Sequence, residues 1–167
     1  MADYAFPWDR LVARFKYAAT PELAALLASA LAAAAERTNT PLPQAFVALP
    51  LSAQRAAERG YDQAFELARR LGRLAKRPAH ARALWRRFDA TPQAGLSRAQ
   101  RLRNLQGAFV VPARAQAAIR GRHLGLVDDV MTTGATAGEA ARALLAAGAA
   151  RVDLWVVART ATPADLP

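Results

Sequence analysis

Two adjacent carboxylates, Asp128 and Asp129, precede a turn of small and hydroxyl-bearing residues. The turn has the sequence TTGAT and leads into a segment that predicts a helix from Ala137 to Ala147. A turn with so little side-chain bulk lets backbone N–H groups close around a phosphate, assisted by the threonine hydroxyls and the positive end of the helix dipole. The pattern therefore predicts a phosphate site made by Thr132, Thr133, Gly134, Ala135 and Thr136.

The acidic pair needs a separate explanation, because two negative charges beside a phosphate site repel an anionic ligand. The carboxylates fit as hydrogen-bond acceptors for a neutral polyol joined to that phosphate, such as the 2- and 3-hydroxyls of a ribose. Receiver domains of two-component signalling also carry an acidic pair, which binds a metal. Their pair lies at the first strand and precedes a phosphoacceptor aspartate, whereas here only Asp153 and Asp165 follow.

A plain structural alternative is an acid-rich strand end followed by an ordinary helix cap. Glu139 stands three residues after Thr136, which is the spacing of a capping box. The TTGAT turn is better explained by phosphate binding.

Three apolar stretches predict the strands that position this turn. They are Leu124 to Val127, which ends where the acids begin, Phe46 to Leu49, and Arg151 to Ala158. Between them, helices are predicted from a Thr20 cap to about Arg37 and from an Asp62 cap to Arg77. Strands alternating with helices predict an α/β fold with a mainly parallel, twisted sheet, whose ligands bind at the carboxyl ends of the strands.

Length and composition restrict the class of protein. The chain has 167 residues, 53% of them hydrophobic, which is enough for one domain with its own core. The absence of cysteine excludes disulfides, thiolate zinc sites and cysteine nucleophiles. The longest apolar stretch, Leu23 to Ala35, is shorter than the about 20 residues that span a bilayer. With no signal-peptide pattern at the start, we expect a cytoplasmic protein without membrane insertion.

The net charge of +10 is concentrated in one region. Between Arg69 and Arg103 there are eleven basic residues and one acid, Asp89, whereas the rest of the chain has twelve of each. This region is expected to face an anionic partner, for which pyrophosphate and nucleic acid both qualify. Part of it, Leu84 to Asn104, is polar, contains Pro92 and Gly95, and predicts a flexible basic loop.

The motif VDDVMTTGAT resembles the phosphoribosyl pyrophosphate (PRPP) motif of type I phosphoribosyltransferases. Nearly the whole chain also resembles the ComF/GntX family, block by block and in the same order. The blocks are ADYAFPWDRLVARFKY, LPLSAQRAAERGYDQ, LWRRFDATPQAGLSRAQRLRNLQGAF, LGLVDDVMTTGAT and AAGAARVDLWVVART.

This resemblance implies a type I phosphoribosyltransferase fold, as one domain over residues 1–167 with a small N-terminal hood at 1–43 and a core at 44–160. It implies that Asp128 and Asp129 bind the ribose as the catalytic acids and that the TTGAT turn binds the 5-phosphate. The pyrophosphate loop corresponds to Leu51 and Ser52, with Arg55 and Arg59 beyond it. The loop that closes over pyrophosphate in amidophosphoribosyltransferases corresponds to Arg86, Thr91, Gln93, Arg98, Arg101 and Asn104.

Two departures from the family pattern limit what carries over. Members usually have an N-terminal four-cysteine zinc ribbon, whereas this chain has no cysteine, so no zinc is expected in it. Because the ribbon is missing, we expect a trimmed chain or a truncated gene start. Hypoxanthine-type enzymes have an aspartate where this chain has Thr132, so no base-protonating role carries over.

The resemblance leaves two classes of function open. One is transfer of a phosphoribosyl group from PRPP, with Mg²⁺ bound through PRPP and not directly by the protein, to an unidentified acceptor with release of pyrophosphate. The other is a non-catalytic module that binds a nucleotide or single-stranded DNA, since ComF relatives are associated with uptake of transforming DNA. The expected partners are accordingly PRPP or a nucleotide, single-stranded DNA or DNA-uptake proteins, and a second copy of the chain, because dimers are common for the fold.

Overall fold

A computed structural model of the chain describes residues 2–17, 20, 22–88 and 104–160. The helices are α1 (Trp8–Tyr17), α2 (Leu23–Arg37), α3 (Ala53–Arg59), α4 (Gln63–Ala75), α5 (Gln116–Ile119) and α6 (Ala135–Ala146), with a 3₁₀ turn at Ala113–Ala115. The strands are β1 (Ala2–Asp3), β2 (Ala45–Ala48), β3 (Ala79–His80), β4 (Trp85–Arg86), β5 (Phe109–Val110), β6 (His123–Met131) and β7 (Arg151–Arg159).

The main sheet is five-stranded and parallel at every pairing, in the order β1-β7-β6-β2-β3. A separate antiparallel pair joins β4 and β5. The predicted α/β class and parallel sheet are thereby confirmed, and all three predicted strands form. The central strand, β6, lies between β2 and β7, so the segments that follow β2 and β6 meet at the same edge of the sheet.

Helices cover both faces of the sheet, and side-chain alternation along the strands divides the core accordingly. In β2, Phe46 faces a cluster formed with α1, α2 and α4, whereas Val47 faces a second cluster that includes α6. In β6, Val127 belongs to the first cluster and Leu126 to the second. Both faces of β6 are therefore buried, which explains its nearly continuous apolar run.

Two glycines allow close packing in this core. A Cβ on Gly125 in β6 would lie 2.8 Å from Phe46 Cδ1 and 2.9 Å from Pro43 Cγ. A Cβ on Gly72 would lie 2.6 Å from the carbonyl oxygen of Arg77, so this glycine lets the chain return closely from α4 into β3.

Several local predictions are confirmed or corrected at the helix ends. Asp62 caps α4, as predicted, by accepting a 2.9 Å hydrogen bond from the amide of Phe65. The helix ends at Ala75 and not at Arg77, because Lys76 adopts a left-handed conformation with φ 53°. The Thr20 cap was wrong: the Thr20 hydroxyl donates to the carbonyl of Arg14 at 3.0 Å, and α2 begins at Leu23.

The capping box of Thr136 and Glu139 was also wrong. The helix α6 begins at Ala135, and the Glu139 carboxylate accepts a 2.6 Å hydrogen bond from the amide of Gly107. The same carboxylate binds Arg142 at 2.6 and 2.8 Å, so it joins α6 to the segment before β5.

Candidate functional site

A cleft of about 540 Å³ opens at the carboxyl ends of β2 and β6. Its walls are the segment after β2 with α3, the end of β6 with the turn into α6, and the end of α1. It brings together all the predicted ribose, 5-phosphate and pyrophosphate residues, namely Asp128, Asp129, Thr132, Thr133, Gly134, Ala135, Thr136, Leu51, Ser52, Arg55 and Arg59.

The acidic pair lies inside β6 and not after its end. The strand continues to Met131, with Asp128 in register with Val156 and Met131 with Arg159. Consecutive side chains of a strand point to opposite faces, so Asp128 lies on the face of Leu126 and Asp129 on that of Val127. The two acids therefore have different neighbours, although both line the cleft.

Asp129 is held by two cations from different elements. Its Oδ1 lies 3.0 Å from the ammonium nitrogen of Lys16 on α1, and its Oδ2 lies 3.9 Å from a guanidinium nitrogen of Arg59 on α3. The Asp129 and Arg59 side chains are each only 7% exposed. The buried carboxylate is therefore balanced by positive charge within the protein.

Asp128 has a different environment. Its Oδ1 accepts a 2.8 Å hydrogen bond from the backbone amide of Asp129. Burial and the neighbouring carboxylate of Asp129 raise the pKa of Asp128 to about 7, against the smaller opposing effects of that hydrogen bond, Lys16 and Arg55. Asp128 therefore holds its proton to a higher pH than an ordinary aspartate does.

The turn after β6 has the geometry that a phosphate site needs. Gly134 adopts a left-handed conformation with φ 75°, which a residue with a side chain rarely takes, and it stands at the N-cap of α6. The Thr133 hydroxyl accepts a hydrogen bond of 3.4 Å from the amide of Ala135. The N-terminus of the 12-residue helix α6 thus faces the cleft lined by Thr132 to Ala137.

The two arginines of α3 have unequal surroundings. Ser52 caps this helix by accepting a 3.2 Å hydrogen bond from the amide of Arg55, whose side chain is exposed along the cleft. Arg59 instead donates to the Gln63 side chain at 3.1 Å, and its guanidinium carbon lies 5.5 Å from the centre of the Tyr17 ring. Arg55 is therefore available to an anionic ligand, whereas Arg59 supports Asp129.

The predicted flexible loop is only partly described. Arg86 lies in β4 and lines the cleft, and Asn104 is exposed at the segment that leads to β5. Thr91, Gln93, Arg98 and Arg101 lie outside the described residues, and their role stays a prediction.

Lys16 and Tyr17 line the cleft although sequence reasoning did not select them. They end α1, and nothing in their local sequence indicates a site, because their partners Asp129 and Arg59 lie far along the chain. The sequence feature that could have pointed to them is the family block ending in RFKY, which implied that this segment belongs with the rest of the domain.

The two histidines lie away from this cleft. His123 Nε2 lies 2.9 Å from the Asp153 carboxylate at the opposite end of the sheet, and His80 lies in the edge strand β3. Burial lowers the pKa of His80. Neither histidine lines the cleft, so they offer no general base to a ligand bound there.

Similarity to known proteins identifies the family. The chain is 36% identical over 164 residues to DNA utilization protein YhgH of Escherichia coli strain K12, covering 96% of this chain and 70% of the relative. It is 34% identical over 163 residues to competence protein F of Haemophilus influenzae, covering 95% and 71%. The chain belongs to the ComF/GntX family. No protein-family model matches it.

A solved structure supports the fold of this ComF-family chain. The glutamine PRPP amidotransferase of B. subtilis, in a complex with ADP and GMP, superposes with a TM-score of 0.51 and 17% sequence identity. The match covers 84% of this chain and about a quarter of the amidotransferase, 26%. The fold is that of type I phosphoribosyltransferases. None of the helices in the described ranges could span a lipid bilayer.

Proposed function

We propose that this ComF-family chain binds PRPP in the cleft and transfers its phosphoribosyl group to a nitrogen acceptor, with release of pyrophosphate. The observation that carries the proposal is the meeting of three chemically distinct surfaces at one sheet edge. These are the N-terminus of α6 for the 5-phosphate, the acids of β6 for the ribose, and Ser52 with Arg55 for the pyrophosphate.

Each surface has a defined task in the reaction. The bond between the anomeric carbon and the pyrophosphate oxygen breaks, and pyrophosphate leaves with the bonding electrons. The acceptor nitrogen forms the new bond with its lone pair and loses a proton to solvent. Arg55 offsets the charge of the leaving group, and the carboxylates orient the sugar and stabilise the positive charge that develops on its ring.

The donor set of the cleft fits Mg²⁺ carried by PRPP better than a metal held by the protein alone. Within the described residues, no three side chains of the His, Cys, Asp and Glu types lie together as a metal site. One of the two cleft acids, Asp129, is already paired with Lys16 and Arg59. Bound with PRPP, Mg²⁺ would supply positive charge that offsets the charge of the leaving pyrophosphate.

Calorimetric titration of PRPP with Mg²⁺ tests the binding step. We expect saturable one-site binding by the unmodified chain and its loss in the Asp128→Asn/Asp129→Asn double variant. Asp153→Asn is the matched control, because this carboxylate lies at the opposite end of the sheet. Absence of binding by the folded unmodified chain would remove the PRPP proposal.

Turnover is tested separately, by assaying pyrophosphate release from PRPP with ammonium and with each free nucleobase as acceptor. Release that depends on an acceptor and is lost in the double variant supports transfer. If the chain binds PRPP but releases pyrophosphate with none of the acceptors, it is a PRPP-binding module and not a transferase.

A second candidate function, binding of single-stranded DNA, is favoured by a neighbouring pocket. This pocket of about 340 Å³ contains Trp85 and Phe88, which are 45% and 47% exposed, beside the exposed Arg82 and Arg87. The Arg114 guanidinium carbon lies 4.6 Å from the centre of the Trp85 ring. Exposed aromatic rings among arginines suit stacked bases and their phosphates, and the names of the relatives refer to DNA utilization and competence.

Fluorescence anisotropy with a labelled oligothymidylate tests this candidate. We expect the Trp85→Ala/Phe88→Ala variant to weaken binding by about 1–3 kcal/mol for each stacked base. Phe6→Ala is the matched control, because Phe6 is 76% exposed and is not among the residues that line this pocket. If oligothymidylate binding falls steeply with salt but is equally strong in the Trp85→Ala/Phe88→Ala variant and in the Phe6→Ala control, the contact is purely electrostatic and lies elsewhere.

A further inference from the structure

Lys16 forms an ion pair that connects α1 to Asp129 of β6. Its ammonium nitrogen lies 3.0 Å from Asp129 Oδ1, and its side chain is 17% exposed along the cleft. The ion pair joins α1 to β6, two elements that are far apart in the sequence.

The helix that carries Lys16 is itself fixed to the core. Val12 and Phe15 are fully buried, and the Tyr61 hydroxyl donates a hydrogen bond to the carbonyl of Phe15. Tyr17 packs against the Arg59 guanidinium, which in turn lies beside Asp129. Lys16 therefore lies at the end of an anchored helix. Its side chain loses less conformational entropy when it pairs with the Asp129 carboxylate than it would on a mobile segment.

The two cations hold the Asp129 carboxylate in one orientation, and they leave lone pairs on it that can accept further hydrogen bonds. The carboxylate has two oxygens and about four lone-pair sites, and Lys16 and Arg59 approach different oxygens. Asp129 lines the cleft and can therefore accept a ligand hydroxyl while both cations stay in place. The same cations offset its charge beside an anionic ligand.

We propose that Lys16 is a positioning residue for the ribose, acting through Asp129 to orient the acceptor oxygen for a ribose hydroxyl. The inference rests on the proposed function and extends it, because it assigns part of sugar recognition to the N-terminal helix. Lys16 acts on the sugar part of the ligand, whereas the turn at Thr132–Thr136 binds its phosphate.

The test compares two ligands that differ by the sugar. Titrations with inorganic phosphate and with ribose 5-phosphate give two dissociation constants. The constant for phosphate divided by the constant for ribose 5-phosphate measures the affinity that the ribose adds. We expect Lys16→Met to reduce this ratio about tenfold, as the loss of a charge-assisted hydrogen bond would. A general loss of anion affinity would weaken both ligands alike and would leave the ratio unchanged. Lys16→Arg should restore most of the ratio, because it returns a cation to Asp129.

Two further variants separate positioning from general charge or folding. Arg14→Met removes a positive charge from the same helix at an exposed position and should leave the ratio unchanged. In an Asp129→Asn background, Lys16→Met should have no additional effect, because both changes remove the same interaction. Thermal melting identifies any variant that has lost its fold.

The outcomes distinguish this inference from the function on which it rests. If the unmodified chain binds ribose 5-phosphate no better than phosphate, sugar recognition in the cleft is wrong and the proposed function falls together with the inference. If the unmodified chain shows the ratio but Lys16→Met retains it, or reduces it equally in the Asp129→Asn background, only the role of Lys16 is overturned.

Discussion

The backbone amide of Asp129 donates a 2.8 Å hydrogen bond to the Asp128 side chain, while the carboxylates of these neighbours lie on opposite faces of one strand. Asp129 is paired with Lys16 and Arg59, whereas Asp128 has its pKa raised to about 7 by burial and by the carboxylate next to it. Adjacent residues of one motif therefore have different electrostatic surroundings.

The first prediction concerns the effect of Asp128 on stability. Its ordinary pKa is 3.8, so between about pH 4 and 7 the folded state binds more protons than the unfolded state. The free energy of unfolding should therefore fall as pH rises through this window and level off above about 7, by about 1.4 kcal/mol for each unit of pKa shift at most. Urea denaturation at pH 5 and pH 8 measures this fall.

Asp128→Asn isolates this contribution, because asparagine does not titrate. From pH 5 to pH 8, the unmodified chain should lose stability relative to the variant. Any advantage that it has in unfolding free energy at pH 5 should therefore shrink or reverse at pH 8. Equal pH dependence in both proteins would show that Asp128 ionises as an ordinary surface carboxylate.

The second prediction separates the two arginines of α3. Arg55→Ala should weaken PRPP binding and leave the unfolding free energy within about 0.5 kcal/mol, because the side chain is exposed. Arg59→Ala should lower the unfolding free energy by about 1–3 kcal/mol, because it removes a largely buried partner of Asp129 and Gln63. Parallel calorimetry and urea denaturation measure both effects, and equal stability losses would contradict this division.

The third prediction concerns the anchor between α6 and the segment before β5. Glu139→Ala should lower the unfolding free energy by about 1–3 kcal/mol, because it leaves the amide of Gly107 without its 2.6 Å acceptor. Glu139→Gln keeps an acceptor oxygen and should lose less. If glutamine costs as much as alanine in urea denaturation, the charge pair with Arg142 and not the Gly107 contact supplies the stability.

The fourth prediction uses two glycines with opposite surroundings. Gly125→Ala should cost about 1–3 kcal/mol of unfolding free energy, because its Cβ would meet Phe46 and Pro43 at 2.8 and 2.9 Å. Gly138→Ala lies within α6 with no atom within 4 Å of the added Cβ, so it should stabilise by about 0.5–1 kcal/mol. Thermal denaturation of the two variants should show shifts of opposite sign.

The features that could be predicted from the sequence are those whose physical causes are local. The apolar run before Asp128 specifies a buried strand, the TTGAT turn specifies a tight connection to a helix N-terminus, and Asp62 specifies a helix start, because each depends on neighbouring residues. Family resemblance then assigned these local features to the correct fold. Two of the wrong predictions, the caps at Thr20 and Glu139, were cases in which a long-range or loop partner satisfied the side chain instead.

The surroundings of the two acids depend on tertiary packing. The sequence places Asp128 and Asp129 side by side, but the continuation of β6 to Met131 sends them to different faces. Their environments then depend on the packing of α1 and α3 against the sheet, which pairs Lys16 and Arg59 with Asp129. Contacts between residues so distant in the chain depend on how whole elements pack, and no short stretch of sequence encodes them.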